Sequence, residues 1–265
     1  MKATTYGTDG SKEGEIELPE VFNEFVREDL IRRAFLSEQS ETFQPKGSDP
    51  WAGIDTSARY EGRKEAYHSL KNKGGAKLPR EMFPKGGVGR VRKIPSSVKG
   101  RRAHPPMVEK VLIERINQKE KEKALMCAIA ATANAELIKA RGHKFKDKVP
   151  IIISDSVEAL KKTKDVAKLF RMIIGDDLKR SVNGKKKRKG RVGGNKVPKS
   201  ALVVASDNAA ILKSARNIPG INVTTVNKLS ITDLAPGGVP GRLTIWTKKA
   251  IEALKQGKEK KEMKK

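Results

Sequence analysis

Positive charge in this sequence is gathered into blocks, and clustered charge of one sign cannot enter a protein core without partners. Residues 179–200 hold ten Lys and Arg and no Asp or Glu. Residues 41–106 hold fifteen basic and six acidic residues, a net +9. Residues 1–40 lean the other way, with five basic and nine acidic. Across all 265 residues, 57 Lys and Arg stand against 31 Asp and Glu, a formal +26. Away from the blocks and the tail the balance is close. That pattern describes a folded body with basic appendages, and the natural partner of such a charge is a polyanion.

The two blocks differ from the body in more than charge. Residues 45–106 are rich in Gly, Pro, Lys and Arg, their apolar residues are scattered singly, and no period of 3.6 or 2.0 is sustained there. A connection this long without its own core is rare inside a compact domain unless it is functional or disordered. Like charges would keep it extended. With ~25 residues in each arm its reach would be at most ~80 Å. Residues 44–106 therefore read as an inserted extended loop. The stretches 1–43 and 107–256 read as one globular domain, 179–200 as a second basic loop within it, and 257–265 as a basic tail.

The body reads as α/β. Residues 2–6 and 14–18 suit short strands around a turn at Asp9-Gly10, and Asp29 to Thr42 suits a helix. Asn117 with Glu120 resembles an N-cap and its N3 acid, opening an Ala-rich helix that runs to Gly142 at a C′ position. The pattern then alternates. Apolar runs at 149–153, 201–205, 223–226 and 243–247 are separated by helical stretches at 163–174, 208–216 and around Ser230-x-x-Asp233, with a last helix holding Ile251 and Leu254. Short apolar runs between helices imply a mostly parallel sheet with helices on both faces. The hydrophobic share of 37% allows one sizeable core. No stretch approaches the ~20 apolar residues of a membrane helix, and the first residues carry no apolar segment of the secretory kind.

Candidate chemistry is sparse. Ser154-Asp155-Ser156 and Ser206-Asp207-Asn208 fall at strand ends, where Asp155 and Asp207 could serve catalysis or ribose binding. No nucleophile–base pair accompanies either triplet, so helix capping is the simpler reading. Gly86-Gly87-Val88-Gly89 is not a dinucleotide fingerprint, and the run from Gly184 to Gly190 has the wrong spacing for a P-loop. Both suit a flexible backbone that lets Lys and Arg approach phosphates. Pro236-Gly237-Gly238 reads as a turn. Cys127 reads as a small core residue, and one cysteine with three histidines leaves no basis for a disulfide framework or a metal site. His143 follows a helix end, where a cation meets the last carbonyls. Tyr60, Tyr67 and Phe83 are interleaved with Arg and Lys, as suits stacking on unpaired bases.

Several segments together resemble a known family. Gly100–Pro106 (GRRAHPP), Ala215–Ile221 (ARNIPGI), Leu234–Arg242 (LAPGGVPGR) and Ile245–Thr247 (IWT) are similar to the L-four family of large-ribosomal-subunit proteins, archaeal/eukaryotic type. Leu125–Ala133, Arg141–His143 and Lys161–Thr163 fit the same family. The resemblance runs from about Leu30 to Leu254 and is weakest over residues 60–90. It implies a globular α/β domain at the outside of the large subunit and a loop, here about Gln44 to Pro106, that penetrates the rRNA and reaches the wall of the nascent-peptide exit tunnel. It further implies early joining in ribosome assembly, contacts with neighbouring large-subunit proteins, a cytoplasmic location, and no enzymatic activity. No cofactor, metal, membrane, small-molecule substrate or homo-oligomer is implied.

The residues expected to meet rRNA are Arg59, Arg63, Lys64, Lys71, Lys73, Lys77, Arg80, Lys85, Arg90, Arg92, Lys93, Lys99, Arg101, Arg102 and His104 in the long loop. Lys185, Lys186, Lys187, Arg188, Lys189 and Arg191 join them from the second. The alternatives are an RNA-modifying enzyme on a nucleotide-binding α/β fold and a general nucleic-acid binder. The first lacks a Gly-rich turn after the first strand, and the second would bind duplex DNA and RNA alike. Deleting residues 60–90 is expected to leave the body folded, because that segment supplies no core; a single cooperative melt followed by circular dichroism checks it.

Overall fold

The computed structural model describes residues 1–145, 148–190 and 193–262, the last seven by backbone alone. The chain forms two compact units, Met1–Thr42 with Ile113–Lys265, and Phe43–Leu112. Composition places these boundaries at 43/44 and 106/107; the structure places them at 42/43 and 112/113. In chain order the elements are β1 (Lys2–Tyr6), β2 (Lys12–Glu17), α1 (Glu28–Glu41), β3 (Arg80–Met82), β4 (Val88–Val91), α2 (Gln118–Ala131), α3 (Ala135–Ala140), β5 (Ile151–Ile153), α4 (Asp155–Glu158) and α5 (Thr163–Asn183). Then follow β6 (Lys186–Lys187), β7 (Asn195–Lys196), β8 (Leu202–Ala205), α6 (Ile211–Ser214), β9 (Asn222–Thr225), α7 (Ile231–Leu234), β10 (Thr244–Thr247) and α8 (Lys248–Glu262).

The first unit is built on a six-stranded sheet of order β2-β1-β5-β10-β8-β9. Only the β1–β2 pair is antiparallel; β1–β5, β5–β10, β10–β8 and β8–β9 are parallel. The mostly parallel α/β class expected from the alternating pattern is the one found. Strand periodicity explains why the runs are apolar throughout. Ile151, Ile153, Val203, Ala205 and Ile245 point into one core with Val166, Leu169, Phe170 and Ile211 of α5 and α6. Ile152, Leu202, Val204 and Trp246 point into the other, with Ile31, Phe35, Ala124, Cys127, Ala128, Leu234 and Ile251. Trp246 is wholly buried and meets Phe22 edge-on at 5.5 Å between ring centroids. Among the described residues, neither core takes a side chain from residues 43–112.

Local chemistry moves several helix boundaries. The Ala-rich helix expected from 117 to 142 is two helices. Thr132 Oγ1 donates to the Ile129 carbonyl at 2.7 Å, and Asn134 Oδ1 accepts from the Glu136 N–H at 2.9 Å, opening α3. Such side-chain bonds compete with the helical ladder, and here they end it. Asn117 occupies the N-cap position of α2 without a side-chain cap bond, and Gly142 has the left-handed φ of a C′ residue. The helix expected over 163–174 continues, kinked at Ile174, to Asn183, because Leu178 and Ser181 extend its buried face. The second basic loop therefore starts at Gly184 rather than 179. The helix expected over 208–216 is only Ile211–Ser214, since Asn208 takes a left-handed φ of 67° that a helix cannot include. The basic tail read at 257–265 is partly helical, as α8 reaches Glu262, and 263–265 lie outside the described residues.

One buried polar cluster ties α5 to the rest of the unit. Asp177 is fully buried and accepts from the Ser200 hydroxyl at 2.6 Å and from the Lys144 N–H at 3.2 Å. His143 Nδ1 lies 3.1 Å from its Oδ2 and Arg180 Nε 3.1 Å from its Oδ1. The expectation that His143 meets helix-end carbonyls is thus corrected: its ring turns inward to a carboxylate. Burial alone would raise the Asp177 pKa, but the bonds from His143, Ser200 and Lys144 and the His143 charge outweigh it and hold the pKa below the ordinary carboxylate value. A folded pKa below the unfolded one stabilises above the unfolded value and loses that contribution as pH falls through the folded one. Asp177→Asn is expected to remove about 3 kcal/mol at neutral pH. It is also expected to flatten the acid side of the stability profile below about pH 5. Urea unfolding at a series of pH values measures both.

Candidate nucleic-acid interface

In the second unit the two arms lie side by side. The Ser48 N–H donates to the Pro106 carbonyl at 3.2 Å, and Gly53 approaches Arg101 so closely that a Cβ there would sit 2.8 Å from the Arg101 Cα. Arg59 and Arg80 exchange both backbone bonds at 3.1 Å. Beyond them β3 and β4 form an antiparallel hairpin, pairing Arg80 with Val91 and Met82 with Val88. The extended loop read over 44–106 thus contains a hairpin that its sequence pattern did not announce. Its strands are too short to show a period, and its turn is set by the Phe83 N–H bonding the Gly87 carbonyl at 3.0 Å with Gly86 at φ 91°.

The hairpin carries Lys85 on its turn and Arg90 on β4, both exposed. Arg59, Arg63, Lys64, Lys71, Lys73, Lys77, Lys99, Arg101, Arg102 and His104 lie on the surface as well, while Arg80 and Lys93 are half-buried. Arg92 differs from the others. Its Nε donates to Glu81 Oε1 at 2.6 Å and its Nη1 to the Val98 carbonyl at 2.7 Å, so it braces the hairpin from within. Tyr67 is 73% exposed, its ring centroid 4.0 Å from that of His68, and Phe83 is 51% exposed. Tyr60 is half-buried against Gly62.

The second basic loop is also a hairpin. β6 and β7 pair Lys186 with Lys196 and Lys187 with Asn195, and the Arg188 N–H donates to the Gly194 carbonyl at 3.0 Å. Facing lysines on neighbouring strands repel. Lys185, Lys186, Lys187, Arg188 and Lys189 are all exposed, and among the described residues none is ion-paired. Arg191 lies outside the described residues. A hairpin that sets cation against cation is organised to receive anionic groups.

The other candidate sites resolve as structure. Asp155 accepts from the Lys249 N–H at 3.3 Å, so it caps α8 rather than α4. Asp207 accepts from the Asn227 side chain. Neither the Ser154 nor the Ser206 triplet caps its following helix by a side-chain bond, contrary to the capping reading. Instead Glu158, 6% exposed at its side chain, accepts the Ser206 N–H at 3.1 Å and hydroxyl at 2.7 Å. That carboxylate occupies the backbone donor at the end of β8 that a phosphate would need. Cys127 is buried and its thiol donates to the Phe25 carbonyl at 3.3 Å. Among the described residues no group of three or more His, Cys, Asp and Glu could hold a metal ion, and no helix is long and apolar enough to cross a membrane.

Three arginines have roles that sequence reading missed. Arg242 is 1% exposed; its Nε donates to the Ser200 carbonyl at 3.1 Å, its Nη1 to the Asp233 carbonyl at 2.8 Å and its Nη2 to Asn222 Oδ1 at 3.0 Å. Burial pushes its pKa down to about 10, against the opposing charges of Asp233 and Asp177, so it stays charged at neutral pH. Arg141 donates to the Pro236 and Val239 carbonyls, and Arg180 to the Lys199 carbonyl at 2.8 Å. Together they fasten the Leu234–Arg242 segment and the end of the second basic loop to the body. The sequence signals for Arg242 were its place at the end of the Leu234–Arg242 motif and between Pro240-Gly241 and a buried strand. Arg92→Ala is expected to speed protease cleavage within 80–99 without moving the melting temperature of the body, whereas Arg90→Ala should leave cleavage unchanged; limited proteolysis with mass readout separates the two.

Known proteins are similar to this sequence over nearly its whole length. Residues 16–257 match the Ribosomal protein L4/L1 family. A large ribosomal subunit protein uL4 from Methanocaldococcus jannaschii is 50% identical over 97% of this chain and 99% of its own length. Those from Methanococcus vannielii and Archaeoglobus fulgidus are 44% and 42% identical, over 97% and 96% of this chain and 99% and 98% of their own. With a two-faced α/β body, an inserted basic unit and that likeness, the chain belongs to the Ribosomal protein L4/L1 family.

Proposed function

We propose that this chain is a structural constituent of the large ribosomal subunit, held there by large-subunit rRNA, and that it carries out no reaction of its own. The observation that carries the reading is the set of exposed cations on the inserted unit and on the second basic hairpin, met in a member of a ribosomal family. Lys185 to Lys189 and the exposed Arg and Lys of residues 59–102 have too few carboxylates beside them to be neutralised within the chain. Phosphates would do so, and the release of their condensed counterions drives binding without sequence preference. Tyr67 and Phe83 add exposed rings on which unpaired bases can stack.

Further parts of the reading follow from the same chemistry. The paired arms of residues 43–112 thread between RNA segments, ordering as the RNA orders, with the Lys85 turn as their tip at the wall of the exit tunnel. The body stays at the surface of the subunit, in the cytoplasm, against neighbouring ribosomal proteins. The chain enters as a single copy early in assembly, because a loop surrounded by RNA cannot be inserted afterwards.

Sedimentation of a lysate through a sucrose gradient tests this. The chain should track the large subunit stoichiometrically and stay with it through a high-salt wash; release into the top fractions would overturn the reading. Replacing Arg101 and Arg102 by Ala should lower the salt slope of rRNA binding by about 0.7–0.9 for each phosphate that they neutralise. An unchanged slope would show that these two side chains touch no phosphate.

A further inference from the structure

A cleft of about 910 Å³ opens in the first unit at the carboxyl ends of β8 and β9, well separated in sequence from both basic hairpins. Three lysines line it, Lys161, Lys213 and Lys228, and among the described residues none of them is ion-paired. Asp207 also lines it, its Oδ2 taken by the Asn227 amide, which leaves Oδ1 to accept a further donor. Thr225 forms part of the wall. It is only 8% exposed, and its hydroxyl oxygen is buried without a hydrogen-bond partner, so it shapes the wall and is not presented to the cleft. It stands two residues after Val223 on the same face of β9, the face packed against the α6 side of the sheet. The carboxyl ends of parallel strands are where open α/β sheets take ligands, and the volume is within the range of small-molecule sites.

We infer that this cleft binds a phosphorylated ribonucleotide unit: the lysines hold the phosphate and the free oxygen of Asp207 accepts a ribose hydroxyl. A lysine triad alone would take any anion. The single carboxylate among the lysines is what selects a ligand carrying hydroxyl donors beside its charge. The same chemistry is offered by a free mononucleotide and by one residue of an RNA backbone. The RNA source rests on the function proposed above; the mononucleotide source does not. Glu158, which bonds Ser206 at the end of β8 and pairs with Lys249, is not among the residues that line the cleft.

The test is isothermal titration of the full chain with AMP, 2′-deoxy-AMP, inorganic phosphate and a short unstructured RNA. Each is repeated on Lys213→Ala/Lys228→Ala, on Asp207→Asn, and on a variant with Lys185 to Lys189 changed to Ala. The lysine pair is expected to weaken its ligand roughly ten- to hundredfold, as loss of charge-assisted hydrogen bonds does. Asp207→Asn should shrink the preference for AMP over 2′-deoxy-AMP, while phosphate, relieved of a neighbouring negative charge, should bind no more weakly. Saturable binding of AMP at one site, lost in the cleft variants and kept in the hairpin variant, identifies a free nucleotide as the source. Absence of AMP binding with RNA binding weakened by the cleft variants identifies the RNA backbone. If the cleft variants change neither, with circular dichroism and melting as in the wild type, the inference is wrong. Lys161→Ala supplies the same readout should the double variant melt early.

Discussion

Ile151, Ile152 and Ile153 send alternate side chains into two separate cores, and the body depends on that division. A strand buried on both faces has little room for a polar side chain, so β5 and β8 are apolar without interruption and β10 carries Ile245 and Trp246 at its centre. Helices must then cover each face. α5 and α6 do so on one side and α1, α2, α7 and α8 on the other. Burying a Leu, Ile or Phe contributes ~1.5–3 kcal/mol, and only this unit has such residues in number. The charged segments gain nothing comparable, which is why they lie outside it.

Arginine serves two opposite purposes in this chain, and surroundings decide which. Arg242 donates through all three of its nitrogens, and Arg180 sits beside the Lys199 carbonyl and the buried Asp177 carboxylate. Removing such a partner would leave buried acceptors unpaired, a loss of about 3–5 kcal/mol where a charge is involved. Arg101 and Arg102 carry the same guanidinium in open solvent, where an ion pair is worth little until water is displaced. Arg92 belongs with the first group although it lies among the second in sequence, because Glu81 and the Val98 carbonyl are within reach.

The sheet was legible in the sequence because buried parallel strands announce themselves as runs such as Ile151–Ile153 and Leu202–Ala205. Helix ends were less so. Thr132 and Asn134 break the Ala-rich stretch through bonds whose geometry no spacing rule contains, and Asn208 keeps a helix from starting through a backbone angle. The two hairpins were illegible for a different reason. β3, β4, β6 and β7 are two to four residues long, too short for alternation to appear, and are held by turn glycines and one Arg–Glu pair. The cations of the interface could be named from composition, yet which of them are already engaged could not. Arg92 and Arg90 look alike as letters.

The hairpins also explain how so much like charge tolerates being ordered at all. Lys186 faces Lys196, so folding the second hairpin brings cations together with no acid between residues 179 and 200 to offset them. Backbone bonds and three left-handed glycines hold the shape while the side chains repel outward. The repulsion is screened beyond roughly 8 Å at physiological salt, so it acts mainly between such direct neighbours. A phosphate placed between two of these lysines removes the repulsion and adds charge-assisted hydrogen bonds in the same step. The strain of the free hairpin therefore becomes part of its affinity, and the same argument applies wherever cations on this chain face one another without a carboxylate between them.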